Sequence, residues 1–301
     1  MSTIRKPMKA EDFVEEHLRF PYLGSYKVDG YRSFIDQGIC RMSSGKPMPN
    51  DHTRNVFSHS DLEGLDGEMV VGPWNRLDTF RRTSSALRRQ RDEPQAILYV
   101  FDDRSIADQP YKLRYESIKN RVQLLRDRGH VQLGLLEHVE IRDMKDLLQF
   151  EDEALRNGFE GIMLNDPEAK YKWGRSTVLE NIILKVKRMV HEEARIIGFK
   201  EQVENISESY LDDLGRSKKS YMKDDLVGTG MVGSFIVRSS LWPTDFSISA
   251  SSLTHDERRD AFENFRSKYD GQLARFSYFP RGVVDVPRHG VFNGLRDADD
   301  L

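Results

Sequence analysis

Apolar positions recur along this chain on two periods, and the changes of period mark its elements. Tyr115, Ile118, Val122 and Leu125 fall at spacings of three and four with Gly129 beyond them, which predicts a helix that stops there. Met144, Leu147, Leu148, Ala154 and Leu155 predict a second helix ending at Gly158. Short apolar runs at 31–39, 68–71, 97–101, 161–164 and 182–186 predict strands. Many short strands with a few interposed helices point to an α+β domain built on antiparallel sheet.

The texture changes near residue 190. Strands are predicted at 194–199, 232–237, 246–249 and 274–279. One helix, 256–268, precedes the last of these; Thr254 and Glu257 have capping-box spacing, and Ala261, Phe262, Phe265 and Tyr269 form its buried face. About five strands with a helix before the fourth fit a small Greek-key barrel of the OB type. Residues 207–225 are polar and charged and read as an exposed loop or hairpin. The expected division is therefore 1–189 and 190–301, with a basic insertion at about 204–230.

Length agrees, since 301 residues exceed most single domains. No run of 18 apolar residues exists, so no membrane span is expected, and the opening residues lack the apolar core of a signal peptide. A cytoplasmic protein is the expectation. The one cysteine, Cys40, can form no disulfide within the chain and no multi-cysteine zinc site. Net charge is −3, which read alone argues against a nucleic-acid partner. The distribution changes that reading. Residues 1–190 hold 31 basic and 30 acidic residues, residues 191–301 hold 15 and 19, and the stretch 76–91 carries six arginines against Asp78 alone.

The sharpest chemical signal is Lys27-Val28-Asp29-Gly30-Tyr31-Arg32. An Asp-Gly pair often marks a plain surface turn, yet a chance match to all four fixed positions of KxDGxR is on the order of a few per thousand in such a chain. A lysine here could attack the α-phosphate of a nucleotide and carry the nucleotide covalently. The attacking amine must be neutral, so the site has to supply cationic neighbours or desolvation. Asp66-Gly67-Glu68 and Phe159-Glu160-Gly161 each set a carboxylate beside a glycine, and such carboxylates suit Mg²⁺, which takes one or two protein ligands plus phosphate oxygens. Lys185 and Lys187 share one face of a predicted strand and could grip a triphosphate, while an aromatic near Phe101 could stack on a purine.

In order and spacing these segments resemble the covalent nucleotidyltransferases: ATP-dependent DNA ligases, RNA ligases and mRNA capping enzymes. Lys27–Arg32, Asp66–Glu68, Tyr99–Asp102, Glu160–Met163, Leu184–Lys187 and the closing Pro287-Arg288-His289-Gly290 text are similar to the six successive motifs of that superfamily. The nearest likeness is to minimal viral DNA ligases of the Chlorella virus type, through Phe159–Met163 and Lys170–Thr177. That resemblance implies an adenylation domain of the nucleotidyltransferase (ATP-grasp-like) fold with antiparallel sheets, followed by an OB-fold β-barrel.

It also implies roles. Lys27 becomes adenylated, Phe101 stacks on adenine, Glu68 binds ribose or assists a metal, and Glu160 is the main metal carboxylate. Lys185 and Lys187 hold phosphates, Asp29 and Arg32 act at the nick, and Arg288 helps expel pyrophosphate. Arg216, Lys218 and Lys219 lie where the viral type carries a DNA-clasping latch. Arg81 and Arg82 in the arginine-rich stretch, and Arg175, are expected on DNA. Ser43 stands where the family has a nick-binding arginine, with Arg41 two residues upstream as its substitute, and the basic residue usual after the last acid is absent.

The expected activity is that of an ATP-dependent DNA ligase using Mg²⁺, with Mn²⁺ able to replace it. It would act as a monomer on nicked duplex DNA through a lysyl-AMP and a DNA-adenylate, in a prokaryotic, phage or viral setting. No protein partner is inferable. An RNA ligase of the same superfamily is the nearest rival. A non-catalytic OB-type nucleic-acid-binding protein is the rival from another class, disfavoured because simple binding needs neither Lys27 nor the two glutamates.

Overall fold

The structure, a computed structural model, describes residues 4–211, 217–219, 222, 225–279 and 285–296. The chain divides into two compact units, residues 1–188 and 189–301. Among the described residues no helix is long and apolar enough to cross a membrane.

The first unit runs β1 (Glu11–Asp12), β2 (Tyr22–Tyr26), β3 (Tyr31–Asp36), β4 (Ile39–Met42), α1 (Asp51–Phe57), β5 (Leu65–Val71), α2 (Thr79–Arg88) and β6 (Ala96–Asp103). It continues with α3 (Tyr111–Asp127), β7 (Leu133–Leu135), β8 (Val139–Ile141), α4 (Met144–Arg156), β9 (Ile162–Asn165) and β10 (Ile183–Val186). Two five-stranded sheets result, ordered β1-β10-β9-β2-β8 and β4-β3-β5-β6-β7. Each has its own core. Phe57, Leu98, Tyr115, Ile118 and Val122 join α1 and α3 to the second sheet, while Tyr22, Leu147, Phe150, Ile162 and Leu184 join α4 to the first.

The predicted run 31–39 is in fact two strands. Gln37 and Gly38 both take positive φ (57° and 66°), the geometry of a tight hairpin turn, so the chain reverses at the polar Asp36-Gln37-Gly38 break between Ile35 and Ile39. Helices α3 and α4 end as predicted, with Gly129 and Gly158 at positive φ. The buried face of α4 differs from the expected stripe: Leu147, Phe150, Glu151 and Ala154 are buried, whereas Leu148 and Leu155 are about half exposed. Glu151 tolerates burial because Arg188 binds it through Nε and Nη2 at 2.8–3.0 Å.

The second unit is a closed five-stranded barrel, β11-β14-β15-β17-β16, formed by β11 (Val190–Asn205), β14 (Leu226–Arg238), β15 (Phe246–Ser249), β16 (Leu273–Phe279) and β17 (Arg288–Leu295). Closure removes the sheet edges and buries Ile196, Phe235, Ile248, Phe276 and Phe292 inside. Helix α5 (His255–Glu263) opens with both hydrogen bonds of the Thr254/Glu257 capping box, and α6 (Phe265–Lys268) follows it. Strands β11 and β14 run well past their predicted ends and stay paired out to Asn205 and Leu226. Between them β12 (Ser209–Leu211) and β13 (Ser217–Lys219) form a small antiparallel hairpin. The barrel agrees with an OB fold, and the whole chain with the α+β class.

Candidate active site

Lys27 sits directly after β2, where the chain leaves one sheet of the first unit to enter the other. Its amide donates to the Gly161 carbonyl at 2.9 Å, and the Glu160 amide donates back to the Lys27 carbonyl at 3.2 Å. Gly161 has φ of 150°, and a Cβ there would lie 2.1 Å from the Val186 carbonyl oxygen, so only glycine lets the end of β10 approach so closely. That approach gathers three lysines. The Lys27 ammonium donates to Glu160 Oε2, Lys187 Nζ lies 3.5 Å from Glu160 Oε1, and Lys185 Nζ lies 3.2 Å from Asp12 Oδ2. Burial pulls Lys187 below the usual lysine pKa; Lys27 and Lys185 push the same way while Glu160 opposes them.

The second sheet supplies the opposite wall. Asp66, wholly buried, accepts Arg32 Nε at 2.7 Å and Nη2 at 2.8 Å, and the Tyr171 hydroxyl donates to the same carboxylate at 2.7 Å. The guanidinium thus held lies 4.4 Å above the Phe101 ring. Register sets Glu68 opposite Arg32 across β3 and β5. Burial pushes the Glu68 carboxyl up to about 8, against the pull of Arg32 and Lys27. Phe101 is fixed from behind: Arg114 binds Asp102 through Nε at 2.7 Å and Nη2 at 3.1 Å, and the Tyr111 hydroxyl donates to the Phe101 carbonyl at 2.8 Å.

A cavity of about 360 Å³ opens between these walls. Lys27, Asp29, Arg32, Ser43, Glu68, Phe101, Arg175 and Lys185, all expected from sequence, line it; Glu160 and Lys187 join through their contacts with Lys27 and with each other. The volume lies at the small end for ligand pockets and suits a nucleoside. Residues 6–187 match the family described as the ATP dependent DNA ligase domain. This chain belongs to the ATP-dependent DNA ligases.

Individual relatives agree. The ligase is 29% identical over 156 residues to DNA ligase 4 of Gallus gallus, a match spanning 48% of this chain and 17% of that one. Over 98% of its length it is similar to the Chlorella virus DNA ligase-adenylate, at 30% identity, full coverage of that chain and a TM-score of 0.55. A Lig E DNA ligase, described as binding DNA with a minimal scaffold, matches with a TM-score of 0.71 at 20% identity over 98% of this chain and all of that one, a likeness of fold.

Other expected residues stand elsewhere. Arg41 is buried and spends its guanidinium on the carbonyls of Asp36 and Gly45, both at 3.2 Å, so it braces the β3–β4 hairpin rather than facing the cavity. Arg82 likewise donates to the Val71 and Pro73 carbonyls, at 2.7 and 2.6 Å, and to Asp78. Arg81 is exposed on α2, whereas Arg175, which lines the cavity, also contacts the Ala10 carbonyl at 3.3 Å. Arg288 opens β17 in the barrel unit. Arg216 lies outside the described residues, as do the side chains of Lys218 and Lys219.

Three participants were not anticipated. Asp12 joins through the parallel register of β1 with β10, and Tyr171 through Asp66. His138 lines the cavity with Nε2 2.8 Å from the Tyr111 hydroxyl and Nδ1 2.9 Å from the Leu136 carbonyl, and burial lowers its pKa to about 4. A neutral ring donates Nδ1–H to Leu136, so its Nε2 and the Phe101 carbonyl are alternative acceptors for the one Tyr111 hydroxyl proton. No local pattern around His138 marks it.

Proposed function

We propose that this ligase seals 3′-OH/5′-phosphate nicks in duplex DNA through a covalent lysyl-AMP on Lys27. The observation that carries the assignment is Lys27 at the edge of a nucleoside-sized cavity, bonded to Glu160 with Lys185 and Lys187 alongside. In the first step Nζ attacks the α-phosphorus of ATP; a P–N bond forms, the bond to pyrophosphate breaks, and the lysine proton has Glu160 Oε2 as its nearest acceptor. Lys185 and Lys187 bind the phosphates, Phe101 faces the base, and Arg288 engages the departing pyrophosphate. In the second step a 5′-phosphate oxygen of the nick attacks the same phosphorus and frees Lys27. In the third the 3′-OH attacks the 5′-phosphate and AMP leaves, with Asp29 and Arg32 assigned to the nick.

Glu160 and Glu68 are the carboxylates that would hold Mg²⁺ or Mn²⁺. The desolvated Glu68 carboxyl fits that assignment, since a cation restores the charge that burial disfavours. The ion would neutralise charge developing on the phosphates.

Incubation with α-labelled ATP and Mg²⁺ should label the protein, and Lys27→Ala should abolish the label. An unlabelled wild-type protein refutes the assignment. Sealing of a nicked DNA duplex compared with its RNA equivalent tests the substrate, and equal or faster RNA joining would overturn the choice of DNA.

A further inference from the structure

Away from the cavity, His59, Asp61 and His130 bring three ligand atoms within 4.8 Å of one another, and among the described residues no other trio of histidine, cysteine or carboxylate side chains comes so close. We propose that this trio is a binding site for a zinc-class divalent ion, separate from the catalytic metal.

The two imidazole rings meet at a centroid distance of 5.0 Å and an angle of 67°, and His59 Nδ1 lies 3.9 Å from Asp61 Oδ1. Donors on a tetrahedral ion with bonds of about 2.0–2.2 Å stand roughly 3.3 Å apart, so closure needs a contraction of up to ~1.5 Å. The side chains can make it, since those of His59 and Asp61 are 52% and 42% exposed.

The backbones beneath them are fixed from one helix. Arg121 on α3 donates to the carbonyls of Asp61 at 2.8 Å and Glu63 at 2.7 Å. At the end of the same helix the His130 amide donates to the Leu125 carbonyl at 3.0 Å, behind Gly129 at positive φ. The donor backbones are thus held by hydrogen bonds to and within α3, while the His59 and Asp61 side chains stand partly in solvent. The Asp61 amide donates to His59 Nδ1 at 3.2 Å, so that lone pair already points at the Asp61 segment, and an ion taking it would replace this one hydrogen bond.

Ligand chemistry selects the ion. Two imidazoles and one carboxylate suit Zn²⁺, Co²⁺ or Ni²⁺, whereas Mg²⁺ and Ca²⁺ prefer all-oxygen sites. Three protein ligands leave a fourth position for water. An ion here would tie the 59–64 segment to the end of α3. Since β5 starts at Leu65, it would anchor the strand that carries Asp66 and Glu68.

Full-length ligase should be titrated with Zn²⁺, and separately with Co²⁺, in millimolar Mg²⁺. The expected result is one ion per chain that Mg²⁺ does not displace, visible Co²⁺ absorption of the tetrahedral type, and a rise of several degrees in Tm at saturating Zn²⁺. His59→Ala and His130→Ala should each weaken binding at least tenfold and remove the Tm rise while Lys27 labelling stays at the wild-type level. Lys27→Ala should bind the ion as wild type does. X-ray absorption of the zinc-loaded wild-type protein, which needs no variant, should show two imidazole ligands. Unchanged affinity in the His59→Ala/His130→Ala double variant, absence of Zn²⁺ binding, or an all-oxygen ligand set would overturn the site.

Discussion

The carboxylate of Asp66 joins Arg32 to Tyr171 in the candidate site, and replacing it by asparagine tests how the second sheet holds Arg32. Asp66 has no solvent exposure and accepts three hydrogen bonds, two from Arg32 and one from Tyr171. The Asp66→Asn substitution would keep the shape, delete the charge and turn an NH₂ group towards the guanidinium donors. Removing one partner of a fully buried pair costs ~3–5 kcal/mol. The Arg32 side chain is 22% exposed, so water recovers part of that, and about 2–3 kcal/mol is expected. At ~2–4 °C per kcal/mol for a unit of this size, Tm should fall by roughly 5–10 °C, read by circular dichroism. Tyr171→Phe removes one hydrogen bond and should cost only ~1 kcal/mol. The cycle formed by Asp66→Asn and Arg32→Met should show a coupling of at least ~1 kcal/mol. Loosening Arg32 from its place over Phe101 should slow nick sealing more than Lys27 labelling. A Tm within ~1 °C of wild type, or a coupling below ~0.5 kcal/mol, would refute the reasoning.

Three further outcomes follow from the same geometry. Glu68 holds its proton up to about pH 8 in the fold but ionises near its ordinary value when unfolded, so its penalty is absent in acid and grows as pH rises from about 4.5 to about 8. Glu68→Gln should therefore stabilise the protein at pH 8 by about 2–3 kcal/mol after allowance for solvent at the cavity wall, gain nothing at pH 4 and lose Lys27 labelling; equal gains at both pH values would contradict this. His138 works in the opposite direction: the unfolded ring takes a proton below ~6.5 while the buried one refuses it until about 4, so stability present above 6.5 drains away as pH falls to 4. His138→Phe should remove about 2 kcal/mol of that loss, measured as urea unfolding at pH 7 and pH 4.5. Arg82→Ala should lower Tm, because three acceptors lose their donor, yet leave the salt dependence of nick binding unchanged; a slope reduced by ~1 would restore Arg82 to the DNA surface.

What could be read from the sequence was whatever is local to a strand or a cap. Lys27, Glu68, Phe101, Glu160, Lys185 and Lys187 each sit in or beside a short apolar run, so a linear text shows them, and Thr254 with Glu257 made a cap visible before any coordinates. The turn at Gln37-Gly38 was legible in the polar Asp36-Gln37-Gly38 break between Ile35 and Ile39, although the predicted strand 31–39 runs across it. Helix α2, by contrast, was hidden because its buried side is Thr79, Thr83, Ser84 and Leu87, mostly small and polar. Register and contact were invisible by nature. Nothing near Asp12 says that it will lie beside Lys185, and nothing near Tyr171 names Asp66 as its acceptor. Neither the likeness that named Arg41 nor the arginine-rich stretch that named Arg82 shows that both guanidinium groups donate to backbone carbonyls.

The same limit applies to the net charge of −3, which first argued against a polyanionic substrate. Four cations around the cavity pair with three carboxylates: Lys27 and Lys187 share Glu160, Lys185 meets Asp12, and Arg32 meets Asp66. A site built this way is close to electrically balanced before any phosphate arrives, so its partners must be counted in the total along with its cations. Phosphate binding then becomes an exchange of one anion for another, in which the cations keep their place and the carboxylates yield theirs. The affinity of such a site is a difference between two sets of ion pairs, and the sign of the whole chain carries no information about it. The pair least able to exchange is Arg32–Asp66, because its acid is wholly buried and also accepts from Tyr171. Lys185–Asp12 is the most able, its acid being 66% exposed at the edge of the sheet. Phosphate should therefore displace Asp12 first, and the wall that holds Arg32 over Phe101 should stay as it is.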